Sequence, residues 1–207
     1  MAALWQSCLS EDLQGAKTEL ERAGADVNFR RQGSTCLMVA VVTENEELVA
    51  LLLGQQGLEV NAVTDDVGPT GNQKGSTALH IAGQFSSPSI IRMLLDWPGT
   101  DKEAKDFYGR SPLISSIFNG GEIAQVEEFF RTPGMRLREG DMNELAKAKP
   151  EELAKANPEV IDMILARAQR ENEESMMRER KREEERKRLE KENQEKENKE
   201  QENKENK

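Results

Sequence analysis

Residues with the chemistry for catalysis or metal binding are few and scattered in this sequence. His80 is the only histidine among 207 residues, so no second imidazole can share a metal ion or relay a proton with it. Cys8 and Cys36 lack the spacing of metal-binding cysteines. Asp65 and Asp66 lack the alternating ligands and the terminal glutamate of a calcium-binding loop. The sequence also lacks a glycine-rich phosphate loop, and we predict a non-enzyme with no catalytic residues, no cofactor and no bound metal.

Composition and charge narrow the classes of partner. The formal net charge is −10, which disfavours binding to nucleic acid because its backbone is also negative. No apolar stretch approaches the roughly 20 residues of a membrane-spanning helix, so we expect no membrane partner. Two isolated cysteines and an N-terminus without a leader pattern favour a reduced compartment, cytoplasmic and/or nuclear. We also expect the protein to be a monomer.

The element that positions His80 is a short helix followed by a second one. Thr77 can cap a helix that begins at Ala78, because its hydroxyl accepts from the free backbone N–H groups of the first turn. Apolar residues continue at helical spacing on both sides of the break Ser86-Ser87-Pro88. The pattern therefore predicts two short consecutive helices, each with apolar residues at helical spacing.

This helix start recurs along the chain. The segment GSTALHIA at 75–82 has counterparts in GSTCLMVA at 33–40 and GRSPLISS at 109–116. In the last of these, Ser111 replaces threonine as the predicted cap and Pro112 takes the first helical position, where it needs no N–H partner. Asn28 and Asn61, which end the similar runs GADVN and GLEVN, are 33 residues apart. A period of about 33 residues is typical of a repeat protein, in which each helix pair completes its core with its neighbours.

These motifs resemble the ankyrin repeat. Residues 77–82 carry the pattern Thr-x-Leu-His-x-Ala, and residues 106–113 are close to the family's Asp-x-x-Gly-x-Thr-Pro-Leu. The resemblance implies an all-α solenoid of about four repeats, built from stacked antiparallel helix pairs with hairpin-like fingers. It also implies a structural role for His80, which would bond to nearby backbone. Met38 and Ile114 stand at the histidine position of the neighbouring repeats.

We divide the chain into a repeat domain at 1–137, a helical cap at 138–169 and a charged low-complexity tail at 170–207. The cap would shield the open end of the stack, and a separate helical module is the alternative. Glu–Lys pairs at i,i+4 favour a solvent-exposed tail helix as far as about Asn193, with fraying or disorder beyond. An insertion within Ala62–Lys74 is either a binding finger or tolerated drift, since lengthening a surface loop costs little.

In ankyrin repeats, partners usually bind the hairpin tips and the exposed side of the inner helices, so the resemblance implies a protein partner. The predicted contact residues are Phe29, Arg30, Arg31, Gln32, Thr43, Gln84, Phe85, Lys105, Phe107, Tyr108, Phe118 and Asn119. Phe85 and Phe118 are 33 residues apart and are either interface anchors or core residues between repeats. We predict a non-catalytic scaffold or adaptor. The alternative is a structural spacer whose charged tail is the functional element.

Two asparagines are candidate modification sites. Ankyrin repeats are substrates of an asparagine hydroxylase that acts at this hairpin position, with a leucine eight residues earlier. Asn28 and Asn61 match that position, and Leu20 and Leu53 stand at the required distance. The resemblance therefore implies that both asparagines are candidates for hydroxylation.

Overall fold

The computed structural model of the protein contains two compact units, which comprise residues 1–161 and 162–207. The structure describes residues 2–65, 74–132, 141–143, 145, 148 and 155–205. Its helices and strands are α1 (Ala2–Leu9), α2 (Leu13–Leu20), β1 (Arg30–Arg31), β2 (Ser34–Thr35), α3 (Cys36–Val42), α4 (Glu46–Leu53), α5 (Ala78–Phe85), α6 (Pro88–Asp96), α7 (Pro112–Phe118), α8 (Ile123–Arg131) and α9 (Pro158–Glu205).

The first unit is a stack of helix pairs. Helix α1 packs on α2, α3 on α4, α5 on α6 and α7 on α8. The first members of the pairs, which we call the inner helices, contact one another in the order α1, α3, α5, α7. The second members, the outer helices, do the same. The predicted all-α solenoid is therefore confirmed.

Polar caps set where the inner helices begin. The side chains of Thr35, Thr77 and Ser111 each accept a hydrogen bond from the backbone N–H three residues later. Helix α7 starts at Pro112, where a missing N–H is tolerated because that group has no partner within the helix. The helix starts predicted at Ala78 and Pro112 are confirmed.

Inner helices α3, α5 and α7 are enclosed along most of their length. Every residue is buried from Cys36 to Val41, from Ala78 to Gly83 and from Pro112 to Phe118. A helix that is apolar all round must be covered on every side, and here the outer helices and the neighbouring pairs cover it. The accessible positions of these helices therefore lie at their C-terminal ends.

Side-chain hydrogen bonds link the ends of successive pairs. The Ser86 hydroxyl donates to the carbonyl of Val41 at 2.8 Å, and the Ser116 hydroxyl donates to the carbonyl of Gly83 at 2.5 Å. The side-chain amide of Gln125 donates to the carbonyl of Ser86 at 2.8 Å. These bonds satisfy carbonyls at helix ends, which have no partner within their own helix.

A buried carboxylate joins outer helices α6 and α8. Glu128 is 2% exposed, and it accepts hydrogen bonds from Arg92 at 2.5–3.0 Å and from Arg131 at 3.1 Å. Burial alone would raise the pKa of Glu128, but the hydrogen bonds from the two guanidinium groups lower it below its ordinary value. The charged form of Glu128 therefore stabilises the stack.

The two cysteines are free thiols in the core of the first two pairs. The hydrogen bond with Cys8 and burial together raise the pKa of Cys36. A protonated thiol is a poor nucleophile and a poor metal ligand, so Cys36 has packing rather than chemistry as its role.

Part of the predicted cap at 138–169 can be compared with the structure. Ala156 and Val160 are buried, and a Cβ built on Gly120 would lie 3.1 Å from the carbonyl oxygen of Lys155. This segment therefore passes close to the turn that joins α7 and α8. Within residues 142–149, where Asp141 is a candidate N-cap, half of the residues lie outside the described part of the chain, and the cap as a whole stays a prediction.

Helix α9 is 48 residues long. The tail helix was expected to fray beyond about Asn193, but α9 continues to Glu205, so that limit was wrong. The Glu–Lys spacing at i,i+4 continues past Asn193 in the sequence, at Glu195 and Lys199, so the low helix propensity of asparagine alone underestimates the length of the helix.

Candidate interaction surface

The hairpin that precedes α3 projects four of the predicted contact residues. Strands β1 and β2 pair antiparallel, with Arg30 opposite Thr35 and Arg31 opposite Ser34. The turn between them places Gln32 at φ 51° and Gly33 at φ 76°, the left-handed conformation that two-residue hairpin turns require. Arg30, Arg31 and Gln32 are exposed, whereas Phe29 is half-buried.

The next hairpin lies against the first one. Arg30 donates to the carboxylate of Asp65 at 3.0 Å and to the carbonyl of Val63. The backbone N–H of Asp65 also donates to the carbonyl of Gly33 at 3.3 Å. The described part of the second hairpin, residues 62–65, is therefore held against the first hairpin by both backbone and side-chain contacts.

The third hairpin continues the same line. The backbone N–H of Phe107 donates to the carbonyl of Lys74 at 3.1 Å, and a Cβ built on Gly75 would lie 3.0 Å from that same nitrogen. Only glycine fits this close approach at a positive φ of 78°. We call the connected surface formed by residues 29–33, 62–65, 74–75 and 105–110 the tip row.

Asp106 shapes the most exposed part of the tip row. It is buried, and its Oδ1 accepts from the backbone N–H groups of Tyr108 and Arg110, each at 2.9 Å. This tight turn projects Phe107 and Tyr108 outward, where they are 69% and 60% exposed. The two rings meet edge to face at 5.5 Å, and the Arg110 guanidinium lies 5.1 Å from the centre of the Tyr108 ring.

Phe85 and Phe118, each predicted as either an interface anchor or a core residue, differ in their exposure. Phe85 ends α5 and is 37% exposed. Phe118 is only 4% exposed, and the Arg110 guanidinium lies 4.8 Å from its ring centre. Phe118 therefore belongs to the core and is removed from the contact surface. The glycines that open these two repeats, Gly75 and Gly109, are 34 residues apart, so Phe118 aligns with Gln84 rather than with Phe85.

The other predicted contact residues lie at the edges of this surface. Lys105 is exposed, while Thr43, Gln84 and Asn119 are partly buried near the C-terminal ends of inner helices. Thr43 donates to the carbonyl of Ala40 at 3.2 Å, and Asn119 donates to the Ser115 hydroxyl at 3.1 Å. Because these hydrogen bonds are made within their own helices, Thr43 and Asn119 contribute to the shape of the surface more than to hydrogen bonding with a partner.

His80 links two repeats. Its Nδ1 accepts from the backbone N–H of Thr77 at 3.2 Å and from the Thr77 hydroxyl at 2.9 Å. Its Nε2 therefore carries the proton and donates to the carbonyl of Arg110 at 3.0 Å. Burial lowers the pKa of His80, which favours this neutral form. The predicted structural role is confirmed.

In the preceding helix pair, Met38 makes one of the two kinds of hydrogen bond that His80 makes. Its sulfur accepts from the backbone N–H of Thr35 at 3.4 Å, as Nδ1 of His80 does for Thr77. A thioether has no N–H, so it cannot donate onward as the imidazole does. We therefore expect a weaker link at Met38 than at His80.

The two candidate hydroxylation sites join successive loops. The Asn28 side chain donates to the carbonyl of Gly57 at 2.7 Å and accepts from the N–H of Glu59 at 2.8 Å. Asn61 makes the same pair of bonds with Gly99 and Asp101, each at 2.8 Å. Our sequence reasoning missed this linking role, although the recurrence of asparagine after each Gly-x-x-Val run was a signal for it.

Trp5 of α1 lies in the core of the first unit. It is 5% exposed, and the Arg31 guanidinium lies 5.2 Å from its ring centre. The first hairpin is therefore held over α1 by an arginine that the sequence analysis had assigned only to the contact surface.

Two kinds of site are absent from the part of the chain that the structure describes. It contains no group of three or more acidic, cysteine or histidine side chains that could hold a metal ion. It also contains no helix that is both long and apolar enough to cross a membrane.

Stacked helix pairs, capped inner helices and a line of hairpin tips define a class of repeat proteins that present a continuous surface. The family model "Ankyrin repeat" matches residues 32–65, which include β2, α3 and α4. Residues 32–65 therefore form an ankyrin repeat, and the helix pairs stacked on either side of it support an ankyrin-repeat protein.

A curated relative supports the same family. The mouse (Mus musculus) protein "Protein fem-1 homolog A-like" is 31% identical over 90 residues, which is 44% of this chain. The match spans only 12% of the mouse protein. The similarity therefore leaves most of that relative outside the comparison.

Proposed function

We propose that this chain is a non-catalytic scaffold or adaptor that binds another protein through the tip row and the C-terminal ends of the inner helices. The observation that carries the proposal is the exposure of Phe107 and Tyr108 on a turn that Asp106 holds in place. Large aromatic side chains on a preformed surface are typical anchors of protein interfaces, because binding buries much apolar area and orders little.

Affinity capture with a double variant tests this proposal. Phe107→Ala with Tyr108→Ala should abolish capture of the partners that the wild-type full-length chain retains. The matched control is Met176→Ala with Met177→Ala, which removes two adjacent side chains that are 49% and 61% exposed in the other unit. Equal capture by both double variants and the wild type would refute the proposed surface.

The first double variant should fold normally. The edge-to-face pair contributes about 0.5–1.5 kcal/mol at most, and the other contacts of both rings lie at the surface. The melting temperature should therefore fall by only a few degrees. A large loss of stability would mean that the rings support the fold, and the capture result would then need single substitutions.

A second candidate is a structural spacer. Helix α9 has 48 residues and would be about 72 Å long at about 1.5 Å per residue. Its exposed surface is lined with i,i+4 ion pairs such as Arg178–Glu174. Deletion of residues 170–207 distinguishes the candidates: retained partner capture would reject the spacer as the functional element.

We also propose that Asn28 and Asn61 are hydroxylated. Both amides are engaged by the next loop, so a modifying enzyme would reach the Asn side chain after local opening of these exposed loops. Intact-mass analysis of the protein from oxygenated cells should show the addition of oxygen, and peptides 21–31 and 55–65 should carry it. Unmodified peptides in that sample would reject the proposal. A monomeric state and the absence of nucleic-acid binding also stay predictions.

A further inference from the structure

The tip row differs in charge from the rest of the protein. Its described residues include five cations, and its two carboxylates are both engaged within the row. Asp65 accepts from Arg30, and Asp106 is buried against its own turn. The five cations are Arg30, Arg31, Lys74, Lys105 and Arg110. A positive surface is therefore present on a chain whose formal net charge is −10.

The negative charge is concentrated elsewhere. Exposed carboxylates lie on or beside the outer helices, at Glu46 and Glu47 of α4, at Asp96 of α6 and at Glu127 of α8. The loop that leads into the third tip also holds Asp101, whose Oδ1 accepts from the backbone N–H of Glu103. The outer helices also carry the exposed cations Lys17, Arg92 and Arg131, so their surface charge is mixed, whereas the tip row has a net positive charge.

Aromatic contacts fix the orientation of two of these cations. The Arg31 guanidinium carbon lies 5.2 Å from the centre of the Trp5 ring, and that of Arg110 lies 5.1 Å and 4.8 Å from the centres of the Tyr108 and Phe118 rings. A guanidinium contacts a ring face through its delocalised charge, and its N–H groups are the donors that bind carboxylate oxygens. Phe107 and Tyr108 lie exposed at the same end of the row as Arg110.

We infer that the tip row binds an acidic peptide segment of a partner protein that also carries aromatic or aliphatic side chains. This inference rests on the proposed function and adds the chemistry of the partner. Carboxylates of the segment pair with the tip cations, and its apolar side chains cover Phe107 and Tyr108. Nucleic acid shares the negative charge, but the net charge of −10 opposes its long, uniformly charged backbone.

Selection from a library of random dodecapeptides displayed on phage tests the inference with the full-length chain. The selected pool should be enriched in Asp and Glu and in aromatic residues relative to the unselected library. The test variant is Arg31→Glu with Lys74→Glu and Lys105→Glu, all at exposed positions. Peptides selected on the wild type should bind this variant at least about tenfold more weakly, since three attractive pairs become repulsive.

A control variant separates local charge from net charge. Lys17→Glu with Lys155→Glu and Lys181→Glu changes the net charge equally at three exposed positions outside the tip row. It should bind the selected peptides within about twofold of the wild type at about 0.15 M salt, where distant charges are screened. Thermal melting of both variants checks that they are folded.

The other outcomes overturn the inference. Enrichment of basic or uncharged peptides that still need Phe107 and Tyr108 would contradict the acidic partner and leave the proposed interaction surface intact. A pool without any consensus, or peptides that bind both charge variants equally, would place recognition elsewhere. Tighter binding of a dodecathymidine oligonucleotide than of the selected peptides would assign the cations to nucleic acid.

Discussion

Replacement of Gly83 by alanine tests how closely the repeats are stacked. Gly83 is buried in α5, and a Cβ at this position would lie 3.0 Å from Cβ of Ser116 and 3.2 Å from Cζ of Phe129. Both neighbours are fully buried, so neither has free space into which it can move. The methyl group must therefore push α5 away from α7 or force Phe129 out of its rotamer.

The expected magnitude follows from two opposing effects. Alanine is better than glycine within a helix by about 1 kcal/mol. Overpacking of a close-packed core costs about 1–3 kcal/mol, and contacts of 3.0–3.3 Å to two buried residues favour the upper half of that range. Gly83→Ala should therefore destabilise the protein by about 1–2 kcal/mol. For a unit of this size, the melting temperature should fall by about 2–8 °C.

The assay should report on the first unit. Trp5 and Trp97 both lie in the first unit, so tryptophan fluorescence during thermal or urea unfolding reports on the stack without a contribution from residues 162–207. The matched control is Gly54→Ala, whose Cβ would meet its nearest neighbours at an ordinary 3.5 Å and whose φ is −72°. Gly54→Ala should be neutral or stabilising. A Gly83→Ala protein as stable as this control would refute close stacking of α5 on α7.

Three further substitutions test polar links within the stack. His80→Ala should lower the free energy of unfolding by about 2 kcal/mol, because it removes the hydrogen-bond partners of the Thr77 N–H and the Arg110 carbonyl. Since burial lowers the pKa of His80, wild-type stability in urea should decrease as the pH falls below about 6.5, and this slope should be smaller in His80→Ala. Glu128→Gln should lower the free energy of unfolding by about 2 kcal/mol at neutral pH. Because the pKa of Glu128 is lowered in the folded protein, the stabilisation by its charged form is present above its ordinary pKa and is lost as the pH falls through the folded value. The stabilities of wild type and variant should therefore converge in acid. Asn61→Ala should cost about 1 kcal/mol and speed hydrogen exchange of the loop it holds, whereas unchanged exchange would contradict the linking role.

The sequence was informative where structure is set by local rules. Thr77 and Ser111 as caps, and Pro112 as the first residue of a helix, follow from the chemistry of a single helix turn, and all three predictions were correct. The role of His80 followed from the family pattern, and its hydrogen bonds show the physical reason for that pattern.

Relations between repeats were harder to predict. We paired Phe85 with Phe118 because they are 33 residues apart, but the repeats that contain them are offset by 34 residues. A shift of one residue rotates a side chain by about 100° around the helix, which is enough to separate a buried position from an exposed one. The bond from Ser116 to the Gly83 carbonyl depends on the distance between two helices, which no local pattern contains.

The surface itself was only partly predictable. Phe107 and Tyr108 were expected at a tip, and they are exposed there. The sequence did not show that Asp106 is buried beneath them or that neighbouring tips bond to one another, because both features arise from contacts between segments.

Photo-crosslinking from defined positions tests the central claim most directly. A benzophenone amino acid replaces Phe107 in the tip row or, as a control, Met93 on outer helix α6 of the full-length chain in cells. We predict covalent capture of a partner from position 107 and none from position 93. Capture from position 93 with none from position 107 would contradict the claim that the hairpin tips form the binding surface.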